Sequence, residues 1–157
     1  MVQHWNELGA VQAERLGVEQ VIVPVADRQN AVRDDFANDI AGAGLIYLSG
    51  GEPDYLCETL TDTKVWRSII STWRGGAAPA GCSAGAMAIG SWVPSFDDPS
   101  PGMPGLGPVE HVVLLPHFNR LSTFRPEFET RLSIPQERSM SVIGVDQLTA
   151  IVGGPTE

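Results

Sequence analysis

Cysteine, histidine and basic charge are all scarce in this chain, and each scarcity excludes something. Cysteine occurs twice among 157 residues, as Cys57 and Cys82. Two thiols make no disulfide framework, so a reducing compartment is the default and the cytoplasm is the expected location. The three histidines are His4, His111 and His117. With no HxH, HExxH or CxxC spacing in the sequence, no metal is expected. Neither glycine pair carries the lysine of a phosphate-binding loop, so no nucleotide phosphate is called for, and no cofactor is expected. Ten Lys and Arg stand against 19 Asp and Glu, a net charge of −9. Nucleic acid wants a basic face, so it is not an expected partner. The same charge gives no long-range steering to an anionic substrate. No apolar run approaches 18 residues and no basic-then-apolar leader opens the chain, so neither a membrane span nor a signal peptide is expected.

What remains is ordinary in bulk: 43% hydrophobic and 18% charged residues, in a length that suits one domain over residues 1–157. The informative stretch is Gly81-Cys82-Ser83-Ala84-Gly85. It reads G-x-S-x-G, the pattern of a serine on a sharp strand-to-helix turn. Such a turn strains the backbone, so the residues two away on each side must be nearly free of side chain. Gly81 and Gly85 meet that demand, and Ala84 and Ala86 keep the next helix slim. The N–H of Ala84 is then placed to face a developing oxyanion. On five residues alone the pattern reads equally well as a small-residue turn packing a helix on a sheet. Cys82 lies one residue before the serine and should point into the packed interior.

The elements around it alternate. Gln3 to Gly17 has Trp5, Leu8, Val11 (or Gln12) and Leu16 at roughly helical spacing, with Gly17 as C-cap. Val21 to Val25 reads as a buried strand, Ala31 to Ala43 as a helix, and Leu45 to Leu48 as a strand ending in Ser49-Gly50-Gly51. Asp54 to Trp73 is helical, with Pro53 suited to its first turn. Cys57 falls within its apolar set and reads as a small buried hydrophobe. Ala77 to Ala80 is a poor strand by propensity, and Ala84 to Gly90 is the helix behind the serine. Pro94 to Pro108 is loop and carries Asp97-Asp98. His111 to Leu115 is a strand capped by Pro116-His117-Phe118, and Asn119 to Leu132 is partly helical. Ser141 to Val145 and Thr149 to Val152 are the last strands, a hairpin across Asp146-Gln147. This rate of alternation means an α/β fold of three layers, helices covering both sides of a mostly parallel sheet.

A serine hydroxyl needs a base. His4 reads as a surface residue and His111 as half-buried and structural. His117 follows an apolar strand, at the sheet edge that also carries Ser83 and the Gly50-Gly51 loop. The base in turn needs a partner that fixes its tautomer.

The Ser83-Ala84-Gly85-Ala86 turn, Gly50-Gly51 upstream and Pro116-His117-Phe118 downstream together resemble the dipeptidase E and cyanophycinase family of serine peptidases. The resemblance runs from about Gln3 to about Gly153. It implies a fold like that of the class I glutamine amidotransferases, which belong to the flavodoxin-like group. It also implies hydrolysis of small peptides with an aspartyl or β-aspartyl residue at the scissile bond. Ser83 would be the nucleophile, His117 the base, and Gly51 with Ala84 the oxyanion donors. Asp98, fifteen residues after the serine, would be the acid, although Asp97-Asp98 also reads as a solvated turn before Pro99. The family's alternative acid falls on Gln147, whose neutral side chain removes it as a carboxylate, with Asp146 next to it. Arg120 or Arg125 would meet a substrate carboxylate, or lie on a solvated helix face. The family normally places a strand before the first helix, whereas this chain starts at the helix. Either an inner strand is lost or the sequence is a truncated form, and the open edge invites a homodimer. The rival expectation is an inactive family member that binds or scaffolds.

Overall fold

Capping chemistry decides where most helices start and stop. The computed structural model describes residues 2–95, 101–124, 126 and 139–153. Helix α1 (Val2–Leu16) ends where Gly17 takes a φ of +67°, and the Gly17 N–H donates to the Glu14 carbonyl. A glycine at this position reverses the chain without a Cβ penalty. Where the spacing predicts one helix over Ala31 to Ala43, two short ones form, α2 (Arg28–Ala31) and α3 (Asp34–Asp39). The reason is a pair of local starts. The Asp27 carboxylate accepts from the Asn30 N–H at 2.8 Å, and Arg33 then turns extended and pairs with Asp35. Pro53 opens α4 (Pro53–Leu60) as its spacing implies, and the Thr63 hydroxyl caps α5 (Lys64–Arg74) by accepting from the Trp66 N–H.

Strand β1 (Leu45–Leu48) pairs in parallel with β2 (Ala78–Gly81), Leu48 lying opposite Gly81. The weak propensity of Ala-Pro-Ala-Gly is overridden here by pairing and by close packing. Helix α6 (Ala84–Ile89) follows the serine and packs on β1, β2 and β5. A small antiparallel pair forms from β3 (Trp92–Val93), just before the stretch predicted as loop, and β4 (Met103–Pro104), within it. Strand β5 (Val112–Pro116), with Val113 and Leu115 fully buried, pairs in parallel with β6 (Ser141–Val145). Helix α7 (Phe118–Phe124) follows β5. The core is made of Ala31, Ile40, Leu60, Val65 and Ile69 between the helices, with Ile46 and Leu48 of β1 against them. A second group, Cys57, Met87, Ala88 and Val93, joins α4 to α6. Burial pushes the Cys57 thiol up to about 11, so it stays protonated and inert, as its apolar setting implies.

Two expected strands do not form. Residues 21–25 run without a strand ladder, Val21 and Ile22 exposed and Val23 and Val25 leaning on the core. A strand exists only through a partner's hydrogen bonds, and among the described residues β1 is paired only with β2. Thr149 to Val152 likewise forms no hairpin. Strand β6 is already paired in parallel with β5, and the chain turns at Asp146–Thr149 with Leu148 at a φ of +62°.

Candidate active site

The turn after β2 is built by two close approaches. A Cβ placed on Gly81 would stand 2.6 Å from the Gly85 carbonyl, and one on Gly85 only 2.1 Å from the Leu48 carbonyl oxygen. Both positions therefore exclude any side chain, and α6 starts pressed against the end of β1. Ser83 sits between them at φ +51° and ψ −119°, a conformation rare for any L-residue that costs about 1–3 kcal/mol. Its side chain makes no cap to the helix it precedes. The hydroxyl is thus left for another partner. Gly50 comes close enough that a Cβ there would lie 3.2 Å from Ser83 Cβ, which brings the Gly50-Gly51 loop beside the serine. Gly51 has a φ of +149°, open only to glycine at low cost. The Cys82 N–H donates to the Leu48 carbonyl at 3.1 Å and ties the two strand ends together. Among the described residues, neither the Ala84 N–H nor the Gly51 N–H has a hydrogen-bond partner.

The partner of Ser83 is His117. Its Nε2 lies 3.2 Å from Ser83 Oγ. His117 follows the last paired residue of β5 and takes a φ of +55°, so the strand end turns sharply and the ring swings over the serine turn. Phe124 meets the ring edge-on at 6.5 Å between centroids. The other ring nitrogen, Nδ1, lies 3.3 Å from Nε2 of Gln147. This is the position the sequence reading sets aside for want of a charge. The signal that places it is spatial: Pro116 lies opposite Val145 in the β5–β6 register, so both chains leave the sheet at the same edge. Gly144 helps, since a Cβ there would stand 2.4 Å from the Phe118 ring.

The remaining sequence candidates fall as follows. Asp98, with Asp97, lies outside the described residues, as does Arg125. Asp146 directly precedes Gln147 and is exposed. Arg120 is exposed on α7 with its guanidinium 5.9 Å over the Phe124 ring. His4 is exposed, and so is His111, which sits at a φ of +61° just before β5 and is not half-buried. Cys82 is half-buried beside the Tyr47 hydroxyl instead of facing the packed interior. Among the described residues no group of His, Cys, Asp and Glu is placed to hold a metal ion, and no helix is long and apolar enough to cross a membrane.

Cyanophycinases of Trichormus variabilis and of a Nostoc species are 27% identical over 149 residues, covering 88% of this chain and 49% of each relative. The chain thus spans about half the length of those relatives. A crystal structure of a peptidase from an acI-B1 actinobacterium is 38% identical and superposes with a TM-score of 0.85 over 94% of this chain and 61% of that one. A Listeria monocytogenes protein assigned as a peptidase E shares 21% identity and the fold alone, at a TM-score of 0.58 over 87% of this chain and 68% of that one. These likenesses make the architecture the three-layer α/β type that the alternation of elements predicts. The sequence model of peptidase family S51 matches residues 8–154, nearly the whole chain, and the chain therefore belongs to peptidase family S51, the dipeptidase E and cyanophycinase group.

Proposed function

We propose that this chain performs serine-type hydrolysis of amide bonds in small peptides. The 3.2 Å approach of His117 Nε2 to a serine on a strained turn is the observation that carries the reading. Ser83 Oγ attacks the carbonyl carbon while its proton passes to His117 Nε2. The oxyanion of the tetrahedral species accepts from the Ala84 and Gly51 N–H groups, both free of other partners among the described residues. His117 then gives its proton to the leaving amine as the C–N bond breaks, leaving an acyl ester on Ser83. In the second half it takes a proton from water as the water oxygen attacks that ester, and returns it to Ser83 Oγ as the ester C–O bond breaks and the acid leaves. The turn acts as a nucleophile elbow in this scheme. The substrates we propose carry an aspartyl or β-aspartyl residue at the scissile bond, with Arg120 or Arg125 as the carboxylate partner. We also propose Asp98 as a contributing acid.

A fluorophosphonate probe tests the reading directly. It is expected to label Ser83 in the folded protein, to label the Cys82→Ala variant as well, and to fail on Ser83→Ala. A folded sample that takes no label would favour instead a binding or scaffold domain, the reading that the neutral Gln147 supports. Homodimer formation is a further part of the proposal, because β1 is paired only with β2 among the described residues. Sedimentation at micromolar concentration is expected to show a species of twice the chain mass, and a sharp monomer boundary would rule it out.

A further inference from the structure

We infer that Gln147 is the positioning residue of His117, a neutral amide standing where a triad carboxylate would stand. The inference rests on the reading of Ser83 and His117 given above. Among the described residues, the ring of His117 has two hydrogen-bonding partners, Ser83 Oγ on Nε2 at 3.2 Å and the amide nitrogen Nε2 of Gln147 on Nδ1 at 3.3 Å. The amide is itself held. The Gln147 N–H donates to Asn119 Oδ1 at 3.0 Å, and Asn119 lies in the first turn of α7, two residues after the histidine. Ring and amide are therefore referenced to the same helix start and to the same pair of parallel strands. The charged side chains on the elements that carry the site are Arg120 of α7, Asp146 before Gln147, and Glu52 after Gly51, and none of them bonds the ring.

An amide has two faces, and the choice between them decides the chemistry. If its NH₂ donates to Nδ1, the ring proton sits on Nε2 and the serine faces a donor that cannot take its proton. If its Oε1 accepts from Nδ1–H, the Nε2 lone pair faces Ser83 Oγ and the pair is competent. Oxygen and nitrogen of a glutamine amide differ by a half-turn about one bond, so both states are open to the same side chain. With the amide turned so that Oε1 meets Nδ1–H, Gln147 holds the competent tautomer, yet it adds no negative charge to stabilise the imidazolium that forms in the transition state. At Nδ1 the contact is thus Ser-His-Gln in kind, slower than one with a carboxylate at this place, and any charge from Asp98 would act from outside that contact.

The test separates the tautomer from the activity. Long-range ¹⁵N–¹H spectra of histidine-labelled protein report which nitrogen of His117 carries the proton, with or without turnover. Wild type is expected to show mainly Nδ1–H, and Gln147→Leu, which keeps the side chain's bulk, is expected to shift the ring mainly to Nε2–H. Fluorophosphonate labelling of Ser83 is expected to slow about 10–100-fold in Gln147→Leu and to quicken on the order of tenfold in Gln147→Glu. The acid limb of the Gln147→Glu profile should move to higher pH, because a carboxylate beside Nδ1 favours the protonated, non-basic ring. A Gln147→Leu protein with the wild-type tautomer overturns the inference, as does a glutamate variant that labels more slowly than wild type. Absence of labelling in the wild type would sink the hydrolase reading, and the ring spectra would still judge Gln147.

Discussion

His117→Ala is expected to slow fluorophosphonate labelling of Ser83 by about 10⁴-fold or more while leaving the fold in place. The ring is half-buried and spends its contacts on Ser83, Gln147 and the edge of Phe124. Removing it takes away a few contacts at the rim of the sheet. The buried residues of the flanking β5 and α7, Val113, Leu115 and Leu121, form a cluster that does not include the ring. The loss in rate should therefore far exceed the loss in stability. Urea unfolding gives the second quantity, with an unfolding free energy expected within about 1 kcal/mol of wild type. Labelling within tenfold of wild type would mean that another group activates Ser83.

Gly85→Ala should show the opposite balance, with stability lost first. The added Cβ would stand 2.1 Å from the Leu48 oxygen and 2.6 Å from the Leu48 carbonyl carbon, both backbone atoms that cannot rotate away. Helix α6 would have to lift from the end of β1, at a cost of about 3 kcal/mol or more. Gly42→Ala is the control. Gly42, unlike Gly85, has a positive φ, at +79°, but a Cβ there meets nothing within 4 Å, so only the backbone penalty of about 1–2 kcal/mol remains. Equal unfolding midpoints for the two variants would show that the contact between helix and strand end is not what fixes glycine at 85.

Much of the layout can be read from the chain itself, because the features involved are local. Gly17 ends α1, Pro53 starts α4, and the small residues of Gly81 to Ala86 need no tertiary information to be recognised as a strand-to-helix turn. Strand formation is not local in this way. Ala78–Gly81 has the wrong composition and forms through its partner, whereas Val21–Val25 has the right composition and forms no ladder. Pairing, which is non-local, decided both. The break between α2 and α3 was hidden by an apolar periodicity that runs through it, while the capping by Asp27 and the extended Arg33 won locally. In the site, Ser83 and His117 are legible as chemistry-bearing types at one sheet edge. Gln147 is not, because the search for a triad partner is a search for charge, and this side chain offers only hydrogen bonds. Its contact with His117 follows from the β5–β6 register, which the sequence does not display and which a predicted hairpin across Asp146-Gln147 would have contradicted.

That register has one more consequence. Because Pro116 and Val145 are paired in the last rung of the ladder, the spacing between positions 117 and 147 is a property of the backbone. The side chain at 147 is exposed and rooted in a turn. Alignment and identity are thus carried by different parts of the molecule. The residue at 147 can pass between amide and carboxylate, nearly equal in shape, without asking the sheet to move. A one-residue slip of β6 would turn every one of its side chains to the other face and dismantle the arrangement at once. The site is tolerant to substitution at its rim and intolerant to insertion in its strands.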